Sequence, residues 1–238
     1  MNNKIEIHVL TLFPEIFPGP LGVSVTGKAL KNGIWGLKTI NIRDFANDQR
    51  GSVDDSPFGG GPGMVIRPDI LDKAIEFSNS KFNNKLNPKT VYLSPRGKKF
   101  DQEYAKKLLS HESLTIICGR YEGIDERIIN SRNIEEISLG DFITTGGENT
   151  AFVFIDVIVR LLPGVLGSSE SLIEESFTNN LLEYPQYTRP KLWNKEEVPG
   201  VLLSGNHAKI KSWRKERSEF DTRNRRPDLW QRYLIDNK

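Results

Sequence analysis

Apolar positions along the 238-residue chain fall into short, β-branched runs separated by stretches with helical spacing. Ile5 to Phe13, Ile34 to Ile42, Val91 to Leu93, Leu114 to Cys118 and Ile134 to Leu139 read as strands. Between them, Pro68-Asp69-Ile70 opens a helix with proline in its first turn, Asp101 to Leu109 predicts a second and Gly123 to Ser131 a third. Strands alternating with helices predict a largely parallel α/β sheet, and such sheets bind ligands beyond the carboxyl ends of their strands. Three turn-like segments fall at those ends: Leu93-Ser94-Pro95-Arg96-Gly97, Gly119-Arg120-Tyr121-Glu122-Gly123 and Gly140 to Gly147. The longest apolar run, Ala151 to Leu166, contains Asp156 and Arg160 and is cut by Pro163-Gly164, so it predicts a buried helix and no membrane span.

Past Leu166 the pattern changes. Gly167-Ser168-Ser169-Glu170-Ser171 predicts a flexible polar linker over 168–180, dividing a main domain of 1–167 from a small helical domain of 181–238 with a helix near His207 to Glu219. Trp193, Trp213 and Trp230 lie in that last stretch, interleaved with basic residues. The chain as a whole carries a net charge of only +2, so it is no polycation. Locally, however, Lys209, Lys211, Arg214, Lys215, Arg217, Arg223, Arg225 and Arg226 outnumber Glu216, Glu219 and Asp221, an electrostatic footprint for phosphate. With 27% charged and 37% hydrophobic residues the composition excludes disordered and fibrous classes.

The single cysteine, Cys118, excludes an intrachain disulfide and fits a reducing, cytoplasmic compartment. His8, His111 and His207 add little material for a transition-metal site. The apolar start at Ile5 is interrupted by Glu6 and His8, unlike a secretory signal.

Among candidate chemical groups, Phe58-Gly59-Gly60-Gly61-Pro62-Gly63-Met64, beside Asp54 and Asp55, is the most conspicuous. It is neither a Walker loop nor a dinucleotide fingerprint, yet so many glycines permit close approach of another molecule. Arg160 follows Asp156 at the spacing of an intrahelical ion pair. Glu174 and Glu175 read, by themselves, as a solvated acidic pair, and Cys118 as a core thiol ending a strand.

Leu12-Phe13-Pro14-Glu15, the Gly59 to Met64 loop, Tyr92-Leu93-Ser94-Pro95, Cys118 to Arg127, Gly140-Asp141, Gly146-Gly147-Glu148, Pro163 to Gly167, Tyr187-Thr188-Arg189-Pro190 and Val201 to His207 resemble, in order, the motifs of the bacterial tRNA (guanine-N1)-methyltransferase family, TrmD. The resemblance implies a SPOUT-type parallel-sheet domain with a deep trefoil knot, outside the general rule that connections do not thread. It also implies a homodimer in which the knot of one subunit and the linker and C-terminal domain of the other build each active site. S-adenosylmethionine is the methyl donor so implied, with a possible Mg²⁺ requirement. Its binding residues, by position, are Tyr92, Leu93, Ser94, Pro95, Gly119, Tyr121, Glu122, Gly123, Ser138, Leu139, Gly140, Asp141, Phe142, Ile143, Thr144, Gly146 and Gly147. Phe142, Thr144 and Thr150 stand where the family usually has Tyr, Leu and Pro.

The acceptor implied is N1 of guanine at tRNA position 37, 3′ to the anticodon. Guanine N1 carries a proton, so the reaction needs a general base. The family's linker Asp corresponds to Glu175, with Glu174 as fallback; Arg160 matches the arginine that stabilises charge on O6. Asp54 and Gly59, Gly60 and Gly61 are expected to border the base, and Arg214 and its basic neighbours to hold the tRNA. The residue pattern by itself leaves two other classes open. One is an RNA-binding protein without catalysis, needing no methyl donor; the other is a nucleotide-binding α/β enzyme, which would want a phosphate-binding glycine fingerprint absent from this sequence.

Overall fold

The computed structural model describes residues 5–82, 88–167 and 175–237. The chain forms two compact units, Met1–Gly167 and Ser168–Lys238. In the first, five strands lie in the order β2-β1-β6-β5-β7: β1 (Ile5–Thr11), β2 (Trp35–Asn41), β5 (Lys89–Lys99), β6 (Ser113–Cys118) and β7 (Glu135–Ser138). Every pairing in that sheet is parallel. The expected α/β sheet is therefore present, with β6 at its centre and buried over its whole length.

Both faces are covered, as a parallel sheet requires. Successive side chains point to opposite faces. Ile7 and Val9 of β1 and Leu114 and Ile116 of β6 accordingly join one core with α1 (Ser24–Lys31), α3 (Gln102–Leu108) and α5 (Gly147–Val159). Leu10 and Ile117 join the other with α2 (Pro68–Lys81) and α4 (Glu126–Arg132). Phe154, Ile155, Ile158 and Val159 of α5 are fully buried, each stabilising the fold by about 1.5–3 kcal/mol. The apolar run thus forms the expected core helix, shorter than its pattern, because the chain turns from Arg160 onward.

Several boundaries differ from expectation for local reasons. The third helix starts at Glu126, not Gly123, because the Asp125 carboxylate accepts the Arg127 N–H at 2.9 Å and caps it. Strand β5 does not end at Leu93. It bulges over 94–97 and resumes pairing with β7 at Lys98. Only a glycine fits at Gly97, where a Cβ would stand 2.3 Å from the backbone of Glu136 and Ile137. Helix α1 and the two short hairpins, β3 (Asp54–Asp55) with β4 (Val65–Ile66) and β8 (Leu192–Trp193) with β9 (Glu196–Glu197), were not expected from the pattern.

In the second unit, α6 (His207–Arg225) runs beyond the expected Glu219, supported by the i,i+4 pairs Lys215–Glu219 and Asp221–Arg225, and stops before Pro227. Helix α7 (Pro227–Asp236) packs on it through Leu229, and the Tyr233 hydroxyl donates to Glu219 at 2.7 Å. Thr222, fully buried, accepts the Leu182 N–H at 2.8 Å and so holds the extended 181–191 stretch against α6. This unit is less purely helical than its composition suggests. Most of the expected linker, 168–174, and with it Glu174, lies outside the described residues.

Candidate active site

At the bulge of β5 and beyond the carboxyl ends of β6 and β7 the three turn-like segments converge with the amino end of α5 on a cleft of about 260 Å³. That is just below the usual range of about 300–1,000 Å³ for small-molecule sites. Every residue expected around the donor lines it except Asp141, which is exposed. Arg120, Ile137, Thr145 and Thr150 complete the wall.

The approach of the segments is set by size. A Cβ on Gly147 would stand 2.7 Å from the Cα of Cys118, so glycine lets α5 begin directly against the end of β6, and the Gly147 N–H donates to the Gly119 carbonyl at 2.9 Å. Leu93, Pro95, Leu139, Phe142 and Ile143 give the cleft apolar surface. Phe142 and Ile143 are largely exposed at its mouth. Tyr92 lies beneath, its phenol pushed above the usual tyrosine range by burial and by Glu136. Two of the residues that depart from the family pattern close local hydrogen bonds: the Thr144 hydroxyl donates to the Gly146 carbonyl at 2.8 Å and that of Thr150 to the Gly147 carbonyl at 2.7 Å.

Behind the cleft sits a charge pair not anticipated from the pattern. Glu148 in the first turn of α5 is only 2% exposed, and its Oε2 lies 2.8 Å from Arg120 Nε as an ion pair without the direction of a good hydrogen bond. Its Oε1 accepts the Thr11 hydroxyl at 2.8 Å. The same arginine covers the Phe13 ring at 4.4 Å and donates to the Thr145 carbonyl at 3.2 Å, tying β1, the turn after β6 and the cleft wall together. Cys118, wholly buried beside it, has its thiol raised well above the ordinary value, first by burial and then by Glu148; it is the expected core thiol and no nucleophile.

Arg160 closes α5, its N–H donating to the Asp156 carbonyl at 3.0 Å, and does not line the cleft. Asp54 belongs to the β3–β4 hairpin, and Gly59, Gly60 and Gly61 form the loop that this hairpin carries. That loop is joined to the cleft rim: Glu122 N–H donates to the Met64 carbonyl and Ile66 N–H to the Gly123 carbonyl, both at 2.9 Å.

Glu175 and Arg214 belong to the second unit, where they line a cleft of about 450 Å³ together with Lys211, Lys215, Tyr184 and Tyr233. The Arg214 guanidinium lies 4.6 Å from the centre of the Tyr184 ring. The sequence predicts separate roles and no proximity for these two residues; the fold brings them to one cleft. Among the described residues, no three His, Cys, Asp or Glu side chains stand together as a metal site would need, and no helix is long and apolar enough to cross a membrane.

A family model described as tRNA (Guanine-1)-methyltransferase TrmD matches residues 5–232. The chain is 53% identical over 228 residues to the tRNA (guanine-N(1)-)-methyltransferase of Pelagibacter ubique, covering 96% of this chain and 98% of that protein. It is 54% identical over 231 residues to the enzyme of that name from Rhodospirillum rubrum, covering 97% and 95%. With the one from Bartonella tribocorum the identity is 52% over 230 residues, 97% of each chain.

Proposed function

This chain belongs to the tRNA (guanine-1)-methyltransferase family, and on that premise we propose that it transfers a methyl group from S-adenosylmethionine to N1 of guanine at tRNA position 37. The observation that supports the donor half most directly is the cleft at the bulge of β5 and the ends of β6 and β7. Its character fits the donor. Leu93, Pro95, Leu139 and Ile143 offer an apolar wall for an adenosyl group, the turns supply backbone groups for its polar edge, and the carboxylate of Glu122 in the lining suits a cationic molecule. The bound donor supplies an electrophilic methyl on a sulfonium.

The rest of the chemistry falls to the protein's own side chains. Guanine N1 becomes a nucleophile when its proton leaves, and Glu175 is the base that takes it. Glu175 is one methylene longer than the aspartate typical of the family, and the adjoining backbone absorbs the added reach. As the proton departs, negative charge spreads to O6. Arg160, a fixed cation there, stabilises the transition state more than the ground state. Lys211, Arg214 and Lys215 beside Glu175 hold the RNA backbone, and Asp54 with the Gly59 to Gly61 loop borders the presented base.

In this reading Arg160 and the donor cleft come from one subunit of a homodimer and Glu175 from the partner. The loops at Tyr92 to Pro95, Gly119 to Gly123 and Ser138 to Gly147 form a trefoil knot around the donor. The enzyme acts in the cytoplasm, where its tRNA substrate is. A magnesium ion held by RNA phosphates would need few protein ligands.

The test is transfer of labelled methyl from S-adenosylmethionine to a tRNA transcript with guanine at position 37, beside one with adenine there. Wild type modifies only the first. Glu175→Ala lowers kcat by about 10²–10⁴-fold, and Arg160→Ala by about 10²–10³-fold, with tRNA binding retained. Full activity in Glu175→Ala would remove that residue as the base, and tRNA binding without any transfer by wild type would return the protein to the non-catalytic RNA-binding class.

A further inference from the structure

The hairpin loop beside the cleft carries a side chain that the chemistry above does not use. Phe58 is 98% exposed, the most exposed large apolar side chain among the described residues. An aromatic ring held wholly in water forgoes the burial that usually accounts for its presence. Its surroundings are specific. Gly59, Gly60 and Gly61 follow it with φ of +90°, +79° and +120°, and nothing stands within 4 Å of where their side chains would be, so the flank of the ring is open backbone. The loop is anchored: Gly60 N–H donates to the Pro57 carbonyl at 3.2 Å, and the stem from Gly63 to Ile66 lies against Glu122 and Gly123 of the cleft rim.

We propose that Phe58 is a stacking platform for a nucleobase of the anticodon loop adjoining the target guanine, which it holds unstacked at the cleft rim; this rests on the methyltransferase reading above. A flat ring with an open flank accepts the π-face of any base, and stacking of this kind is a principal means of gripping single-stranded RNA. Local charge selects the base over the backbone. Asp54 and Asp55, in the strand leading to the loop, repel phosphate while accepting the N–H donors of a base edge. The same acidic flank disfavours an anionic membrane surface. Bare backbone at three successive positions lets a planar partner lie close, which a bulkier loop would prevent.

Because the side chain touches little of its own protein, replacing it leaves folding intact. The experiment compares wild type with Phe58→Ala, Phe58→Leu and Phe58→Trp, using tRNA transcripts that carry fluorescent 2-aminopurine at either neighbour of the target guanine. Expected are a rise in KM for tRNA of about ten-fold in Phe58→Ala, an unchanged affinity for S-adenosylmethionine, and loss of the fluorescence change that wild type produces on binding. Phe58→Trp restores both and Phe58→Leu neither. Four results overturn the proposal. Wild type methylates but Phe58→Ala matches it in KM and fluorescence; leucine rescues as well as tryptophan, leaving only an apolar contact; Phe58→Ala changes the sedimentation of the free protein, making the ring a contact between copies; or wild type methylates no tRNA, in which case the reading beneath the proposal fails first.

Discussion

Replacing Arg120 with methionine removes the cation from a carboxylate that is only 2% exposed while keeping most of the aliphatic volume over Phe13. Breaking one side of a buried pair costs about 3–5 kcal/mol. Two features place this case at the low end, about 3 kcal/mol: the Thr11 hydroxyl still donates to Glu148, and the arginine side chain, 24% exposed, leaves a path for water. For a domain of this size that lowers the melting temperature of the Met1–Gly167 unit by about 6–12 °C. Glu148→Gln alone costs less, about 1 kcal/mol, because the stranded arginine can reach solvent. The double variant removes both charges and recovers most of the loss, since uncharged residues in place of a buried pair are close to neutral. Scanning calorimetry of the four proteins measures the cycle. Arg120→Met also weakens S-adenosylmethionine binding by titration calorimetry, because Arg120 holds the Thr145 carbonyl in the cleft wall. A double variant less stable than Arg120→Met, with the two losses simply adding, refutes the view that the pair acts as a unit.

Three further outcomes are expected. His8 is fully buried, its Nδ1 2.9 Å from the Ser78 hydroxyl and its ring stacked on Phe82. Burial holds its imidazole below the ordinary histidine value, Lys38 adding to this and Glu6 opposing it. The unfolded chain therefore binds the proton more readily, so stability present above about pH 6.5 is lost as the pH falls toward the folded value, at up to about 1.4 kcal/mol per pH unit. Urea midpoints between about pH 5 and 6.5 should slope less in His8→Gln than in wild type; parallel slopes would assign the dependence elsewhere. Gly97→Ala forces β5 from β7 at a backbone contact and costs about 1–3 kcal/mol with a matching loss of donor affinity, checked by urea midpoint and titration; an unchanged protein would mean the strands separate freely. Mixed in equal amounts under conditions of subunit exchange, Glu175→Ala and Arg160→Ala chains regain about a quarter of wild-type activity, since half the dimers then hold one intact shared site; no regain would place both residues in one subunit's site.

The loops that form the cleft of the first unit are legible because their signals are local. Ser94-Pro95-Arg96-Gly97 and Gly119 to Gly123 break apolar runs where the chain must bend, the first as a bulge within β5 and the second as the turn after β6. What escaped the pattern depends on pairing between distant segments. The continuation of β5 past its bulge is decided by Gly97 meeting the backbone of β7, a contact no window of sequence contains. The charged residues make the same point more sharply. Spacing singles out Asp156 and Arg160, because a separation of four residues along a helix is an ionic contact that periodicity can read. Yet the carboxylate of α5 that the fold buries is Glu148, in the first turn of the helix, and it is burial rather than spacing that makes a partner obligatory. That partner, Arg120, comes from the turn after β6, and the second hydrogen bond comes from Thr11 at the end of β1. The proposed knot, the proposed two-subunit site and the roles proposed for Glu175 and Arg160 rest on resemblance alone, since each concerns how separate pieces of chain meet. A sequence read by period therefore locates the loops of such a site well and its electrostatic supports poorly, because turns are written in adjacent residues and the partners of buried charges are not.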